Sequence, residues 1–370
     1  MENYHLFIVD ETSFKFHLEH FFVGTGKTDR NGIVSFDIGL WKDIERLRVG
    51  DKVVFYLMGL KRFYGVFEVA SRPFFHSSLP QYLEAANPSI RKRDGRISTI
   101  NLRYRALIRP FRVFQRGVDE FDLIDILPRA TKDVLWSILY RKLVGTRGCS
   151  PIFPSEFEII QNKLAAVNDN AVLEFESYSF NGGLISRGLE DAEYEGEIAR
   201  NVDLKQSILR GEFDEHYIHA LLMEYLPAAV FGEEVSWFGN EVYSGAAVQM
   251  MDLVSISRIK QMETFNVVEI KAGLIPVNIV SQIKKYCIWL RSRFDLATPE
   301  QSIQPILIGK KMRNKEKSGR FDSFHDFDKL NLARPIRYIE YSIDKDANIL
   351  AFNEIDTNSA TFDIIQSFEI

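Results

Sequence analysis

The sequence predicts an α+β, multidomain chain: a β-rich N-terminal block followed by an α/β core with a mixed central sheet. Three observations lead there. The 370 residues exceed one ordinary domain of about 100–200 residues. Hydrophobic residues make up 46% and aromatic residues 13%, with 29 Phe, which is enough for real cores and rules out global disorder. Strand patterns dominate up to about residue 128, whereas helix and strand patterns follow one another beyond about residue 210.

Residues 51–58 (DKVVFYLM) and 63–70 (FYGVFEVA) read as strands joined by the hairpin loop Gly59-Leu60-Lys61-Arg62. Residues 102–114 alternate basic with apolar side chains, so one face enters a core and a row of Arg meets water, while Pro110 assigns the far half to an edge. Residues 133–143 and 154–167 read as helices, the second opened by Pro154-Ser155-Glu156 and striped by Phe157, Ile160 and Leu164. The stretch after them is polar and acidic, with a turn at Asn181-Gly182-Gly183. The domain assignment is therefore 1–165, a joint at 166–209, and 210–370. In the second domain, residues 214–226 form a helix ended by Pro227. Strands follow at 248–256 and 265–270, an amphipathic helix at 279–294 and a buried strand at 305–309. Residues 335–344 and 348–356 read as a terminal hairpin that either extends the sheet or forms a homodimer contact.

No apolar run approaches the ~18 residues of a spanning helix, and the first residues, MENYHLFIVDETSF, lack the basic and apolar regions of a signal peptide. Cys149 and Cys287 are too few for a disulfide framework or a zinc site, so the expected home is the reducing cytoplasm. A net charge of −5 does not advertise a polyanion partner, but the distribution does. Residues 90–116 carry nine basic side chains and one acid, Asp94, while residues 189–197 carry five acids and no base. Arg91, Arg103, Arg105, Arg109 and Arg112 are thus candidate phosphate contacts, against the alternative of a solvated strand edge. Lys310 and Lys311 head a second basic cluster that would hold a nucleic-acid backbone or form a solvated loop.

Chemistry concentrates in residues 215–286. Asp252 lies in the strand QMMDLVSI, and Glu269 and Lys271 close the strand NVVEIKAG. Residues i and i+2 share a strand face, so Glu269 and Lys271 point the same way with Ile270 behind them. A surface ion pair is the plain alternative, worth at most ~1 kcal/mol. Phosphodiester hydrolysis explains the set better. Two carboxylates, with the Ile270 carbonyl, would hold Mg²⁺ or Mn²⁺, and the lysine would stabilise charge growing on a phosphate. Asp252 and Glu269 are 17 positions apart, a hairpin-compatible gap with a polar loop at 257–264, and Gln282 and Tyr286 share a helix face at i and i+4. His216 and His219 read as flanking their helix rather than as ligands.

Asp252, Glu269-Ile270-Lys271 and Gln282-x-x-x-Tyr286 resemble the PD-(D/E)xK nuclease core, in its RecB-like branch with the QxxxY helix, over roughly residues 210–312. The resemblance implies a restriction-endonuclease-like fold, metal binding at Asp252 and Glu269, catalysis by Lys271, and positioning by Gln282 and Tyr286. It also implies a carboxylate from the first helix, for which Glu215 fits better than Glu224. Met251 stands where the family's name-giving Pro would be. In the first block, Gly50-Asp51-Lys52-Val53-Val54 and Tyr64-Gly65-Val66-Phe67-Glu68-Val69 resemble the PUA-like superfamily, its EVE branch in particular, over roughly residues 1–160. That implies a small barrel that recognises RNA or a modified or flipped base, with Trp41, Tyr56, Phe63 and Tyr64 as candidate walls of a base slot. Of the doublets Phe21-Phe22 and Phe74-Phe75, one ring each is expected to be exposed or pressed against a neighbouring element. Together these readings describe a Mg²⁺-dependent DNA endonuclease of defence or repair. The alternatives are a nucleic-acid-binding protein with an inactive nuclease-like domain, or an RNA-processing nuclease.

Overall fold

The computed structural model describes residues 2–28, 36–75, 89–91, 97–124, 142–143, 147–188, 194, 198, 202–210, 214–244, 249–259, 262–296, 298, 302–312, 314–359 and 361–369. Lys92, Arg93, Arg96, Arg313, residues 133–141 of an expected helix and all of the 189–197 acidic run but Tyr194 lie outside them. For Arg91, Lys315 and Lys317 only the backbone is described. The chain divides into two units, Glu2–Val202 and Asp203–Ile370. Among the described residues, no helix is long and apolar enough to cross a membrane.

The first unit comprises β1 (Tyr4–Val9), α1 (Glu11–Glu19), β2 (Phe22–Thr28), α2 (Ile38–Glu45), β3 (Lys52–Leu57), β4 (Arg62–Val69), β5 (Phe74–Phe75), β6 (Ser89–Arg91), β7 (Ile97–Pro110), β8 (Val118–Asp119), α3 (Glu120–Ile124), β9 (Cys149–Ile152), α4 (Pro154–Val167) and the hairpin β10 (Tyr178–Asn181) and β11 (Leu184–Arg187). Its main sheet runs β2-β7-β4-β3-β1-β9 and curls into a half-barrel. The predicted β3–β4 hairpin is present, and parallel pairing of β1 with β3 closes one side of it. Side chains alternate inward along these strands, so Leu6, Val54, Phe63, Val66 and Phe114 meet α4 residues Phe157, Ile160 and Leu164 in one core. The helices start where side chains satisfy free amides. Asp10 accepts from Ser13 N at 2.7 Å, and Glu156 accepts from Phe153 N at 2.7 Å behind Pro154. The β10–β11 hairpin falls within the stretch expected as a joint, yet Tyr178, Phe180 and Ile185 are buried and Leu173 and Leu184 bridge to Val113 and Arg116.

The Gly50-Asp51-Lys52 motif is structural. The carboxylate of Asp51 accepts from Asn3 N at 3.1 Å, Arg48 N at 2.9 Å and His5 Nε2 at 2.8 Å, fastening the start of β1 to the turn before β3. His5 in turn accepts from Arg46 Nε at 3.1 Å, and burial holds its imidazole below the usual histidine range, so the ring is neutral with its proton on Nε2. Lys52 pairs with Glu68 at 3.1 Å and Glu2 at 2.7 Å.

Two expectations for this unit are corrected. Trp41, Tyr56, Phe63 and Tyr64 are all buried and form no open base slot: Tyr56 donates to Glu120 at 2.5 Å, Tyr64 donates to Gly183 O at 2.9 Å, and Phe63 lies in the α4-facing core. Phe74 and Phe75 are both buried and pressed against neighbouring rings, as one of the two alternatives for the doublet has it, with Tyr194 near Phe74 and Phe36 near Phe75. The row of arginines on β7 is not uniformly in water. Arg105 is buried, its guanidinium 4.6 Å from the Phe22 ring and 3.2 Å from the Tyr194 hydroxyl, so it does not meet phosphates. Arg109 is exposed and paired with Glu68, while Arg103 and Arg112 are half-buried.

In the second unit, α5 (Leu204–Leu209), α6 (Glu215–Tyr225) and α7 (Ala228–Phe231) precede β12 (Glu234–Tyr243), β13 (Met250–Ile259) and β14 (Met262–Ile270). Then come α8 (Ile279–Phe294), β15 (Ile303–Lys310), α9 (Asn314–Asp328), β16 (Arg337–Asp344), β17 (Ile349–Ile355) and β18 (Phe362–Glu369). The sheet order follows the sequence from β12 to β18, with β14-β15 and β15-β16 parallel and the other pairs antiparallel. This is the predicted mixed sheet. The residues of β15 from Ile303 to Gly309 are buried, as expected for a parallel strand covered on both faces. Of the polar stretch 257–264, expected as a loop, residues 257–259 and 262–264 belong to the strands instead: Ser257 pairs with Thr264, and both are buried. The terminal hairpin extends the sheet through β16 and β17.

The two arginines of β7 are expected to differ in stability. Arg105→Ala should cost about 2 kcal/mol or more in urea unfolding, because buried partners lose their bonds. Arg109→Ala should cost ~1 kcal/mol or less, as for an exposed ion pair. Equal costs would contradict the burial of Arg105.

Candidate active site

The site forms where β13 and β14 part. Their register sets Leu253 opposite Val268, so one residue further along Asp252 comes against Glu269. Ladder pairing between the two strands stops there, and the Asp252 carboxylate takes its place, accepting from Ile270 N at 2.7 Å. On its other side β14 remains in the sheet, with Lys271 N donating to Ile308 O at 2.9 Å.

Lys271 lies between the acids. Its Nζ donates to Glu269 Oε1 at 2.8 Å and to Ile270 O at 2.8 Å, and is 3.6 Å from Asp252 Oδ2 and 4.0 Å from Glu215 Oε2. From α8, Gln282 Nε2 donates to Glu269 Oε1 at 2.9 Å and is 2.6 Å from the Tyr286 hydroxyl, which donates to Met250 O at 2.7 Å. The i, i+4 pair thus ties the helix to the edge of β13 and grips one oxygen of Glu269. From α6, capped by Asp214 at His216 N, come Glu215 and, one turn later, His219. His219 is buried, neither ring nitrogen is hydrogen-bonded among the described residues, and its Nε2 is 3.8 Å from Asp252 Oδ2.

Glu269 is buried, and among the described residues its Oε2 has no hydrogen-bond partner. Burial, then the charge of Asp252, pushes its carboxyl up to about 8 against the pull of Lys271. Burial also works against ionisation of Asp252, but His219, Lys271 and the Ile270 amide outweigh it and hold that carboxyl below the usual range. Lys271 is partly desolvated, yet Asp252 and Glu269 outweigh that and keep its ammonium above the ordinary lysine range. One acid is thus firmly ionised and its neighbour is short of positive charge.

The structure therefore brings together Asp252, Glu269, Ile270, Lys271, Gln282, Tyr286 and Glu215, all anticipated from sequence, and adds His219, whose signal was its i, i+4 spacing from Glu215. Among the described residues, no three His, Cys, Asp or Glu side chains are arranged as a ready metal cage. The oxygen donors nevertheless fit Mg²⁺ or Mn²⁺, which use few protein ligands and keep several waters. The orphaned, buried Glu269 Oε2 is the atom that such an ion would satisfy. Lys310 and Lys311 are exposed at the end of β15.

No protein-family model and no curated protein matches the sequence. Among solved structures, the chain is similar to human THYN1 in complex with 5-methylcytosine-containing DNA (12% identity, 43% of this chain and 96% of that one, TM-score 0.28). It is also similar to a hypothetical protein from Leishmania major (15% identity, 45% and 97%, TM-score 0.30). A third is the restriction endonuclease FokI bound to DNA (11% identity, 70% and 54%, TM-score 0.24). TM-scores this low do not establish a common fold.

The raised carboxyl of Glu269 makes a pH prediction. Folding raises this group's pKa, so its contribution to stability is full below the unfolded value, ~4.5, and is lost as pH rises through about 8. In chelator, the wild type should lose stability across that window, by on the order of a few kcal/mol, while Glu269→Gln should show a flatter profile and be the more stable at the alkaline end. Superimposable pH profiles would contradict the buried, charge-starved state of Glu269.

Proposed function

We propose that this chain is a divalent-metal-dependent nuclease that hydrolyses DNA phosphodiester bonds, its C-terminal unit cutting and its N-terminal unit engaging the substrate. The observation that carries the reading is the meeting of Asp252, Glu269 and Lys271 at the diverging ends of neighbouring strands, with one carboxylate oxygen left over. The order α6, β13, β14, α8, β15 is the order that the PD-(D/E)xK resemblance implies. It supports a restriction-endonuclease-like core, as the curled half-barrel sheet supports a PUA-like first unit.

Asp252 and Glu269, with the Ile270 carbonyl, would hold Mg²⁺ or Mn²⁺, which supplies Lewis acidity toward the phosphoryl oxygen and the attacking water. Lys271 is half-exposed and offers its ammonium to the charge that grows on the phosphate. Gln282 and Tyr286 act as positioning residues: they touch Glu269 and the backbone of β13 and hold the carboxylate in register. Glu215 lies at the rim, 4.0 Å from Lys271. In the first unit Arg103, Arg109 and Arg112 remain as phosphate contacts. Base reading, if it occurs, uses other side chains than the four buried aromatics. A substrate-reading domain joined to a cutting domain suits either defence against foreign DNA or repair.

Three variants test the reading. Asp252→Ala and Glu269→Ala should abolish Mg²⁺-dependent cleavage and specific Mn²⁺ binding. Lys271→Ala should abolish cleavage, by 10²-fold or more as for removal of a transition-state donor, roughly, and bind Mn²⁺ at least as well as wild type, because a competing cation is gone. Labelled DNA and RNA, digested side by side with Mg²⁺ and with chelator, identify the substrate. Cutting of RNA alone would make this an RNA-processing nuclease. Full activity in folded Lys271→Ala would overturn the mechanism.

A further inference from the structure

The loop from Ala272 to Asn278, between the catalytic-strand end of β14 and helix α8, exposes apolar side chains while its backbone is held fast. Leu274 is 39% and Val277 67% exposed, whereas Ile275 between them is fully buried. Ile275 packs against Gly309 so closely that a Cβ there would come within 2.7 Å of it. Gly273 O accepts from Lys310 N at 3.0 Å, and Ala272 O accepts from the Tyr341 hydroxyl. Two neighbouring strands therefore brace the loop, and the apolar tips are presented by a rigid support. Exposed Lys310 and Lys311 follow the residue that packs under it, while Lys271, which opens the loop, is held by Glu269 and Asp252. Isolated exposed apolar side chains need no explanation. A braced pair flanked by exposed lysines is a different case, because its partner must offer both negative charge and an apolar face. Nucleic acid does so, with phosphates outside and stacked bases within.

We infer that this loop is a base-step wedge. Resting on the nuclease reading above, the inference is that Leu274 and Val277 press between bases beside the phosphate that Lys271 faces, and that the preferred substrate is duplex DNA with a mismatched or unpaired step next to the cut. Apolar side chains inserted at a base step unstack it and kink the duplex. The unstacking is cheapest where pairing is already broken, which converts the wedge into a selectivity for damaged or distorted DNA.

The test uses the full chain and the double variant Leu274→Ser/Val277→Ser, whose melting temperature should match wild type because both side chains are exposed. With Mg²⁺, wild type should cut a duplex with a central mismatch about tenfold or more faster than its fully paired counterpart, and the double variant should cut the two at nearly equal rates. In chelator, binding to a mismatched duplex with 2-aminopurine beside the mismatch should raise fluorescence several-fold with wild type and much less with the double variant. This second readout needs no catalysis: if wild type cuts no DNA yet shows the loop-dependent fluorescence rise, the nuclease reading fails and the wedge stands. A double variant that keeps the wild-type mismatch preference or the full fluorescence rise overturns the wedge, as does a wild type with no mismatch preference while cutting DNA.

Discussion

Asp252 and Glu269 oppose one another on adjacent strands, and like charges placed so are unfavourable unless something positive stands between them. That constraint organises the C-terminal unit. Ladder pairing of β13 and β14 gives way at this level, the Ile270 amide turns to Asp252, and Lys271 reaches back into the gap. A single ammonium only partly compensates two carboxylates. The shortfall appears at Glu269, where burial and the neighbouring acid raise the carboxyl to about 8 and one oxygen is left without a partner. A site that keeps a deficit of positive charge in a half-desolvated cleft is suited to a divalent cation and a phosphate, and poorly suited to a purely structural ion pair, whose desolvation would go uncompensated.

Around Asp51 the first unit obeys the opposite rule, in that these buried polar groups are satisfied by one another. Asp51 collects two backbone amides and the neutral His5, and His5 accepts from Arg46. Such a network fixes the junction of β1 and β3 and explains why the Gly-Asp-Lys motif stands out in the sequence without belonging to a binding surface. Arg105 is a second case of a cation recruited inward, where it stacks on Phe22.

Much of the C-terminal unit was legible because its signals are local. Helix α8 occupies the predicted span Ile279–Phe294, and α6 begins after its Asp214 cap and ends at Leu226, in a left-handed conformation before Pro227. The Glu269-Ile270-Lys271 spacing already placed two charges on one strand face. Features decided by tertiary contact were not legible. Strand β12 was not anticipated: it contains Gly239-Asn240, and Glu241 there has a φ of 45°. Ser257 and Thr264 look like loop residues but pair within the hairpin. Period-two alternation placed Arg105 on a face of β7 without revealing what covers that face, and the aromatic character of Trp41, Tyr56, Phe63 and Tyr64 did not distinguish a slot from a core. His219 reads, with His216, as flanking its helix, because its depth and its distance from Asp252 are set by tertiary packing.

We propose the space between Asp252 and Glu269 as a divalent-cation site that Lys271 shares. Its most direct test is anomalous diffraction from crystals of the full chain soaked in Mn²⁺. One strong peak is expected within about 2–2.5 Å of an oxygen from each carboxylate, with Lys271 withdrawn from its present bond to Glu269. The contradicting result is a fully soaked crystal with no peak there and the Lys271 ammonium still bonded to Glu269.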